Sequence, residues 1–165
     1  MNDRVSILLR VNGRAHEVSL SPRTLLSDAL RDACGLRGTH VGCEHGVCGA
    51  CTVLVDERPV RSCLSFAVQM EGHAVRTVES VADGDRLSVL QQALHEEHGL
   101  QCGFCTPGIV MTFEAFLRDH PDPTDPQIRE ALAGNLCRCT GYHNIVAAIR
   151  KAARRLREAD DHVAP

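Results

Sequence analysis

Eight of the nine cysteines in this 165-residue chain fall into two groups of four, each spaced as a ligand set for a metal cluster. The first group is Cys43-x4-Cys48-x2-Cys51, followed after eleven intervening residues by Cys63. The second is Cys102-x2-Cys105, followed after thirty-one intervening residues by Cys137-x-Cys139. Four thiolates are what a [2Fe–2S] cluster requires. Each group must close around its own centre, which confines the chain to small elements joined by cysteine-bearing loops. Two such centres in series are suited to conducting electrons.

The remaining composition fits two small units. Aromatic residues are scarce (four Phe, one Tyr, no Trp), so each half has a thin aliphatic core. Units of this size lean on metals or cross-links for stability, and each cluster is expected to stabilise its own half. A net charge of −3 gives no electrostatic case for nucleic acid. The local basic run Arg150, Lys151, Arg154, Arg155 and Arg157 is expected on a solvated helix end, where cations complement the dipole. No stretch approaches the roughly 18 apolar residues of a membrane span. Met1-Asn2-Asp3-Arg4 leads straight into a strand pattern instead of a signal peptide's apolar core. A cytoplasmic location is expected, where thiols stay reduced and a cysteine framework signifies metal before disulfides.

Hydrophobic periodicity divides the chain. Val5, Ile7, Leu9 and Val11 alternate with other residues, the pattern of a strand with one buried face. Asn12-Gly13 is a hairpin turn signal, and His16, Val18 and Leu20 continue the alternation in the return strand. A helix is predicted from Thr24 to Cys34, with Leu25, Ala29 and Leu30 on one side and Gly35 as its stop. Cys51 to Val55 and Pro59 to Cys63 read as a second strand pair across Asp56-Glu57-Arg58. A small sheet over one helix, with a cysteine loop after the helix, fits a β-grasp ferredoxin. The spacing C-x4-C-x2-C with a distant fourth Cys is itself the plant-type ferredoxin pattern.

From Ser88 the period becomes helical, with Val89, Leu90, Ala93 and Leu94 in one stripe. Thr106-Pro107 predicts a helix start, Thr as N-cap and Pro at the first helical position, running to Asp119. Thr124 or Asp125 with Pro126 starts a third helix ending near Gly134. The fourth spans Asn144 to Arg157 with Ile145, Ala148, Ile149 and Ala152 inward. The fold class expected is α+β: a β-grasp [2Fe–2S] domain over 1–78, a linker over 79–87 and a four-helix [2Fe–2S]-binding domain over 88–165.

The loop from Thr39 to Cys51 carries three cysteines and three glycines (Gly42, Gly46, Gly49). Glycine lets the backbone approach closely and point amide N–H groups at sulfur. In the second group Gly103 lies between Cys102 and Cys105, and Gly134 and Gly141 bracket Cys137-x-Cys139. Zinc also accepts four cysteines, but a C-x4-C-x2-C triple and a C-x-C pair are unusual for structural zinc. Cys43-Glu44-His45 looks like half of a Rieske pattern, yet no cysteine here has a histidine three residues later. His45 therefore reads as a solvated loop residue, His95 and His98 as a helix surface, and Cys34 as a small apolar filler. No Ser–His–Asp set, carboxylate pair or phosphate loop stands out.

Three motifs together resemble the small iron–sulfur subunit of molybdenum hydroxylases, the xanthine dehydrogenase and carbon monoxide dehydrogenase family. They are Gly42-Cys43-x4-Cys48-Gly49-Ala50-Cys51-Thr52, Gln101-Cys102-Gly103-Phe104-Cys105-Thr106-Pro107-Gly108 and Gly134-Asn135-Leu136-Cys137-Arg138-Cys139-Thr140-Gly141-Tyr142. The resemblance spans residues 5 to 156 and lacks no ligand. It implies two [2Fe–2S] clusters here, a large molybdenum-pterin partner and a medium FAD partner, assembled as a dimer of heterotrimers. It further implies that the cluster on Cys102, Cys105, Cys137 and Cys139 lies nearer the molybdenum, and that the one on Cys43, Cys48, Cys51 and Cys63 faces the flavin. Gln101 matches a glutamine that hydrogen-bonds the pterin, and Cys139 the ligand closest to the pterin edge. Thr77-Val78-Glu79-Ser80 departs from the family at its last position, where Gly is frequent.

The function expected is electron relay from molybdenum through both clusters to FAD or another acceptor, with no substrate chemistry in this chain alone. Two other classes were open on the residues: a free-standing two-cluster carrier and a zinc-stabilised assembly module. The subunit reading predicts apolar patches at both cluster mouths.

Overall fold

Alternation in the first segment produces a hairpin of β1 (Val5–Val11) and β2 (Arg14–Leu20), with Val5 opposite Leu20 and Val11 opposite Arg14. The computed structural model describes residues 3–161; positions 1–2 and 162–165, the outer ends of the two expected domains, lie outside the described residues. Ile7, Leu9, Val11, Val18 and Leu20 face the core, whereas Val5, at the outer end of its strand, is 37% exposed. Asn12 and Gly13 both have positive φ, 51° and 75°, which a tight two-residue hairpin turn demands.

The first helix is shorter and wider than predicted. α1 (Leu26–Asp28) passes at once into a π-helical turn over Ala29–Ala33, closed by Cys34 N–H donating to Ala29 O at 2.9 Å. It cannot begin at Thr24 because the backbone there is already engaged. Thr24 N donates to Ser21 O, Thr24 O accepts from Ala67 N, and Leu26 N donates to Ser65 O. Leu26, Ser27, Ala29 and Leu30 are buried, and Leu25 is half-buried. Gly35, at φ +72°, ends the element as expected.

β3 (Thr52–Val55) and β4 (Arg58–Arg61) pair across Asp56-Glu57, and Cys63 lies in a 3-10 turn, Ser62–Leu64, beyond the strand. A fifth strand, β5 (Ala74–Arg76), was not expected. It pairs parallel with β1 and antiparallel with β3, giving the order β2-β1-β5-β3-β4. Three residues carry too little alternation to declare a strand; the neighbours on both sides create it.

The second half comprises α2 (Val89–Glu96), α3 (Thr106–Asp119), α4 (Asp125–Leu132) and α5 (His143–Asp161). Ser88 caps α2 and Thr124 caps α4, each with a glutamine three residues on that bonds back. At α3 the cap is Cys105, so Thr106 is already helical and Pro107 stands one position later than predicted. Leu90, Leu94, Ile109, Phe113, Ile128, Ile145 and Ile149 form its core, each fully buried side chain contributing about 1.5–3 kcal/mol. Ala148 and Ala152 also point inward, as the periodicity required.

The halves are joined by more than the chain. Val53 packs into the sheet's core while its neighbour Leu54 packs against Met111 and Ala115 of α3. β3 is thus buried on both faces and carries the first unit against the second. The segment leading into the expected linker is pinned: the Asn12 side chain donates to Thr77 Oγ1 at 2.9 Å and accepts from Thr77 N at 2.8 Å, and Val78 and, within the linker, Val81 pack on the helical core. Ser80, the departure noted above, closes its own turn by donating to Thr77 O at 2.9 Å.

Candidate metal centres

Both cysteine groups come together where element ends meet. Cys43, Cys48 and Cys51 lie on the irregular loop between α1 and β3, in which Glu44, Gly46 and Gly49 adopt positive φ. Cys51 and Cys63 are buried beneath that loop, and Cys43 and Cys48 are half-buried above it. The Cys48 N–H points at Cys43 Sγ from 3.4 Å. Amide N–H groups of His45 and Cys48 bring the Cys43 thiol down to about 6, favouring the thiolate that metals require. Burial, then the adjacent Cys51, pushes Cys63 up to about 11.

In the second group Cys105 sits buried at the start of α3, with Cys102 exposed in the loop before it. Cys137 and Cys139 come from the turn between α4 and α5, and Cys139 Sγ lies 3.5 Å from Cys102 Sγ. Burial and then Cys137 push Cys105 up to about 12. Burial also opposes ionisation of Cys137, but the Thr140 hydroxyl, 3.1 Å from its sulfur, and nearby N–H groups outweigh it and lower that thiol.

Each group's thiols influence one another: Cys63 is affected by Cys51 and Cys43, Cys102 by Cys139 and Cys137, and Cys105 by Cys137 and Cys102. Among the described residues no three His, Cys, Asp or Glu side chains converge on a single metal-ion position. Four cysteines gathered in each half fit a binuclear cluster, in which each iron takes two thiolates. Among the described residues all eight are free thiols, chemically suited to serve as such ligands.

The two groups are themselves connected. Leu136 N donates to Cys48 O at 2.9 Å, linking the residue before Cys137 to a cysteine of the first group. The Asn135 side chain, 1% exposed, donates to Gly49 O at 3.2 Å and accepts from Thr112 Oγ1 at 3.0 Å. Phe104 stacks on His40 with ring centroids 4.9 Å apart, and His40 Nδ1 lies 2.8 Å from Phe104 O. Replacing Asn135 with alanine removes both buried side-chain bonds. It is expected to cost about 1–3 kcal/mol, seen as a lower midpoint in thermal unfolding.

The other predicted residues fall as follows. Gln101 is exposed beside the second group and donates to Cys139 O at 3.1 Å. His45 is exposed and its ring meets the Cys43 carbonyl; His95 is exposed on α2, and His98 lies in the turn after it. Cys34 is half-buried against the sheet core, with burial raising its pKa. The basic run is not merely solvated: Lys151 pairs with Glu96 and Glu97, Arg155 with Glu96, Arg150 with Asp125, and Arg157 with Asp122. Val47 (55% exposed) and Leu64 (61%) are exposed near cysteines of the first group in sequence, and Leu100, Phe104 and Leu136 near those of the second. Arg61, Asn135 and the His40–Phe104 stack were missed as linking residues. Their partners lie 64 to 86 positions away, and no local pattern announces them.

Comparison with known proteins agrees with this geometry. Residues 9–77 match the family model described as a 2Fe-2S iron-sulfur cluster binding domain, and residues 77–150 that of a [2Fe-2S] binding domain. The chain is 59% identical to the caffeine dehydrogenase subunit gamma of Pseudomonas sp. (strain CBB1), covering 89% of this chain and 90% of that one. It is 52% identical to the nicotine 6-hydroxylase small subunit of Paenarthrobacter nicotinovorans, covering 92% and 91%. Among solved structures, quinoline 2-oxidoreductase from Pseudomonas putida 86 superposes with a TM-score of 0.91 at 45% identity, covering 94% of this chain and 98% of that one.

Proposed function

Since this chain belongs to the small iron–sulfur subunits of the molybdenum hydroxylases, the electron-transfer subunits of those complexes, we propose which of its residues carry the electrons and in what order. Each [2Fe–2S] cluster, when bound, accepts and releases one electron. Cys43 with Cys48 and Cys51 with Cys63 would hold the two irons of one cluster; Cys102 with Cys139 and Cys105 with Cys137 would hold those of the other. The observation that carries this reading is the gathering of four cysteines in each half, joined by one hydrogen bond, Leu136 N to Cys48 O.

The second group is the entry side. Cys102, Cys139 and Gln101 are exposed together, and Gln101 is held by Cys139 O with its own carbonyl left for a partner's pterin. Leu100, Phe104 and Leu136 offer that large subunit an apolar rim. The first group is the exit side, where Val47 and Leu64 would meet the FAD subunit. Domains over 1–78 and 88–165 would act as one body because β3 and α3 share a core. A dimer of heterotrimers in the cytoplasm is the assembly we assign. No helix of the described residues is long and apolar enough to cross a membrane.

The relatives named above act, by their names, on caffeine, nicotine and quinoline, all compounds with nitrogen in an aromatic ring. A nitrogen heteroaromatic is therefore the substrate class we assign to the complex. The hydroxylation it implies takes oxygen from water and releases two electrons and two protons per substrate. Elemental analysis of the complex purified from its host is expected to give about four iron atoms per molybdenum and negligible zinc. Reduction of the clusters by a panel of N-heteroaromatic compounds then tests the substrate class. About two irons per molybdenum, or zinc in place of iron, would contradict the ligand assignment; reduction by aldehydes alone would contradict the substrate class.

A further inference from the structure

Between the two cysteine groups lies a charged side chain that neither ligand set includes. Arg61 is the last residue of β4, two positions before Cys63 and directly opposite Thr52, which follows Cys51. Its Nη1 donates to Thr52 Oγ1, and its Nη2 donates to Gly134 O at 2.7 Å, three residues before Cys137. The contact with Gly134 is close: a Cβ there would fall 2.6 Å from Nη2. Thr52 Oγ1 in turn donates to Gly49 O at 2.6 Å, the same carbonyl that Asn135 reaches from the second unit. The guanidinium is thus fixed by hydrogen bonds to both units.

Arg61 also lacks the carboxylate that several other arginines have. Arg76, Arg118, Arg150, Arg155 and Arg157 each face a carboxylate. Among the described residues no carboxylate lies within ion-pair distance of Arg61, although it is half-buried. Its acceptors are a hydroxyl and a carbonyl, which leave its net charge uncancelled.

We infer that Arg61 is a positioning residue shared by both clusters, a fixed positive charge that favours the reduced form of each. The inference rests on the ligand assignment above. Reduction adds one negative charge at each cysteine group, and a guanidinium keeps its charge throughout the working pH range. Away from bulk water such a charge acts more strongly than on the surface. Substrate oxidation releases two electrons, so both groups can be reduced in one turnover. A charge between them offsets the repulsion that the second electron meets.

The test is a redox titration of the purified complex, followed by the EPR signals of the two reduced clusters, for wild type, Arg61→Gln and Arg61→Lys. Arg61→Gln is expected to lower the reduced-to-oxidised ratio of both clusters about tenfold at a fixed potential, equivalent to about 59 mV for one electron. Arg61→Lys retains the charge while losing the two-point contact, and is expected to leave both ratios within about threefold of wild type, or about 30 mV. Two intact signals with unchanged ratios in Arg61→Gln would overturn the inference, as would a shift confined to one cluster. If the glutamine variant does not assemble, Arg61→Met stands in for it with the same two outcomes. A tenfold fall in both ratios in Arg61→Lys assigns the effect to hydrogen bonding and overturns the inference. Wild-type complex without two binuclear signals would instead bring down the ligand assignment, so the two failures are distinguishable.

Discussion

Cys105→Ser is expected to halve the iron content of the complex, from about four atoms per chain to about two, and to abolish one of the two EPR signals. Cys105 is 9% exposed, caps α3 and belongs to the core of Leu90, Ile109, Phe113 and Ile149. A serine hydroxyl there is a poorer iron ligand and a polar group in an apolar site. Metal binding also supplies folding free energy in small domains, so the helical half should lose thermal stability together with its cluster. Substrate-driven reduction of the remaining cluster should become very slow if the second group is, as proposed, the entry side. Cys34→Ser is the control: it is the one cysteine outside both groups and should retain all four irons. Iron analysis with EPR checks both variants. Four irons in Cys105→Ser, or a loss in Cys34→Ser, would remove the basis of the ligand assignment.

The second large effect is expected at Gly108, where the helical unit meets the first cysteine loop. In isolation, alanine inside a helix is favoured over glycine by about 1 kcal/mol. At this position a Cβ would fall 2.2 Å from Gly49 O and 3.0 Å from Ala50 Cα. Those are backbone atoms of the loop carrying Cys48 and Cys51, and they cannot yield as a flexible side chain would. The clash outweighs the propensity: Gly108→Ala is expected to destabilise the protein by about 1–3 kcal/mol. For a chain of this length that is a fall of about 2–4 °C in Tm per kcal/mol. Forcing the loop away should also lengthen the Leu136 N to Cys48 O bond, so electrons should pass more slowly from the second cluster to the first. Calorimetry and rapid-mixing EPR read the two effects separately. An unchanged Tm with unchanged transfer kinetics would show that the two loops do not bear on each other at Gly108.

Much of the fold was legible because its signals are local. Alternation in Val5–Val11, the Asn12-Gly13 turn, and the caps Ser88 and Thr124 each act within a few residues of themselves. The strand β5 and the π-helical turn after α1 were not legible. β5 exists because β1 and β3 supply bonding partners on either side, and the wide turn is closed by a single bond, Cys34 N to Ala29 O, that no pattern of side chains announces.

By itself the sequence proposes the ligand inventory. Cysteine spacing limits which thiols can share a centre, since a loop of two or four intervening residues reaches only so far, and in the structure Cys63 lies beside Cys51, Cys105 beside Cys137 and Cys139 beside Cys102. What only the tertiary structure decided is how the two centres relate. The Cys48–Leu136 bond, the Asn135 bridge and the reach of Arg61 to Gly134 O all depend on β3 packing against α3. That contact is made by Leu54, Met111 and Ala115, ordinary apolar residues that would fit many surfaces. Burial of apolar area is non-directional, so its partner is selected only when the whole chain has folded.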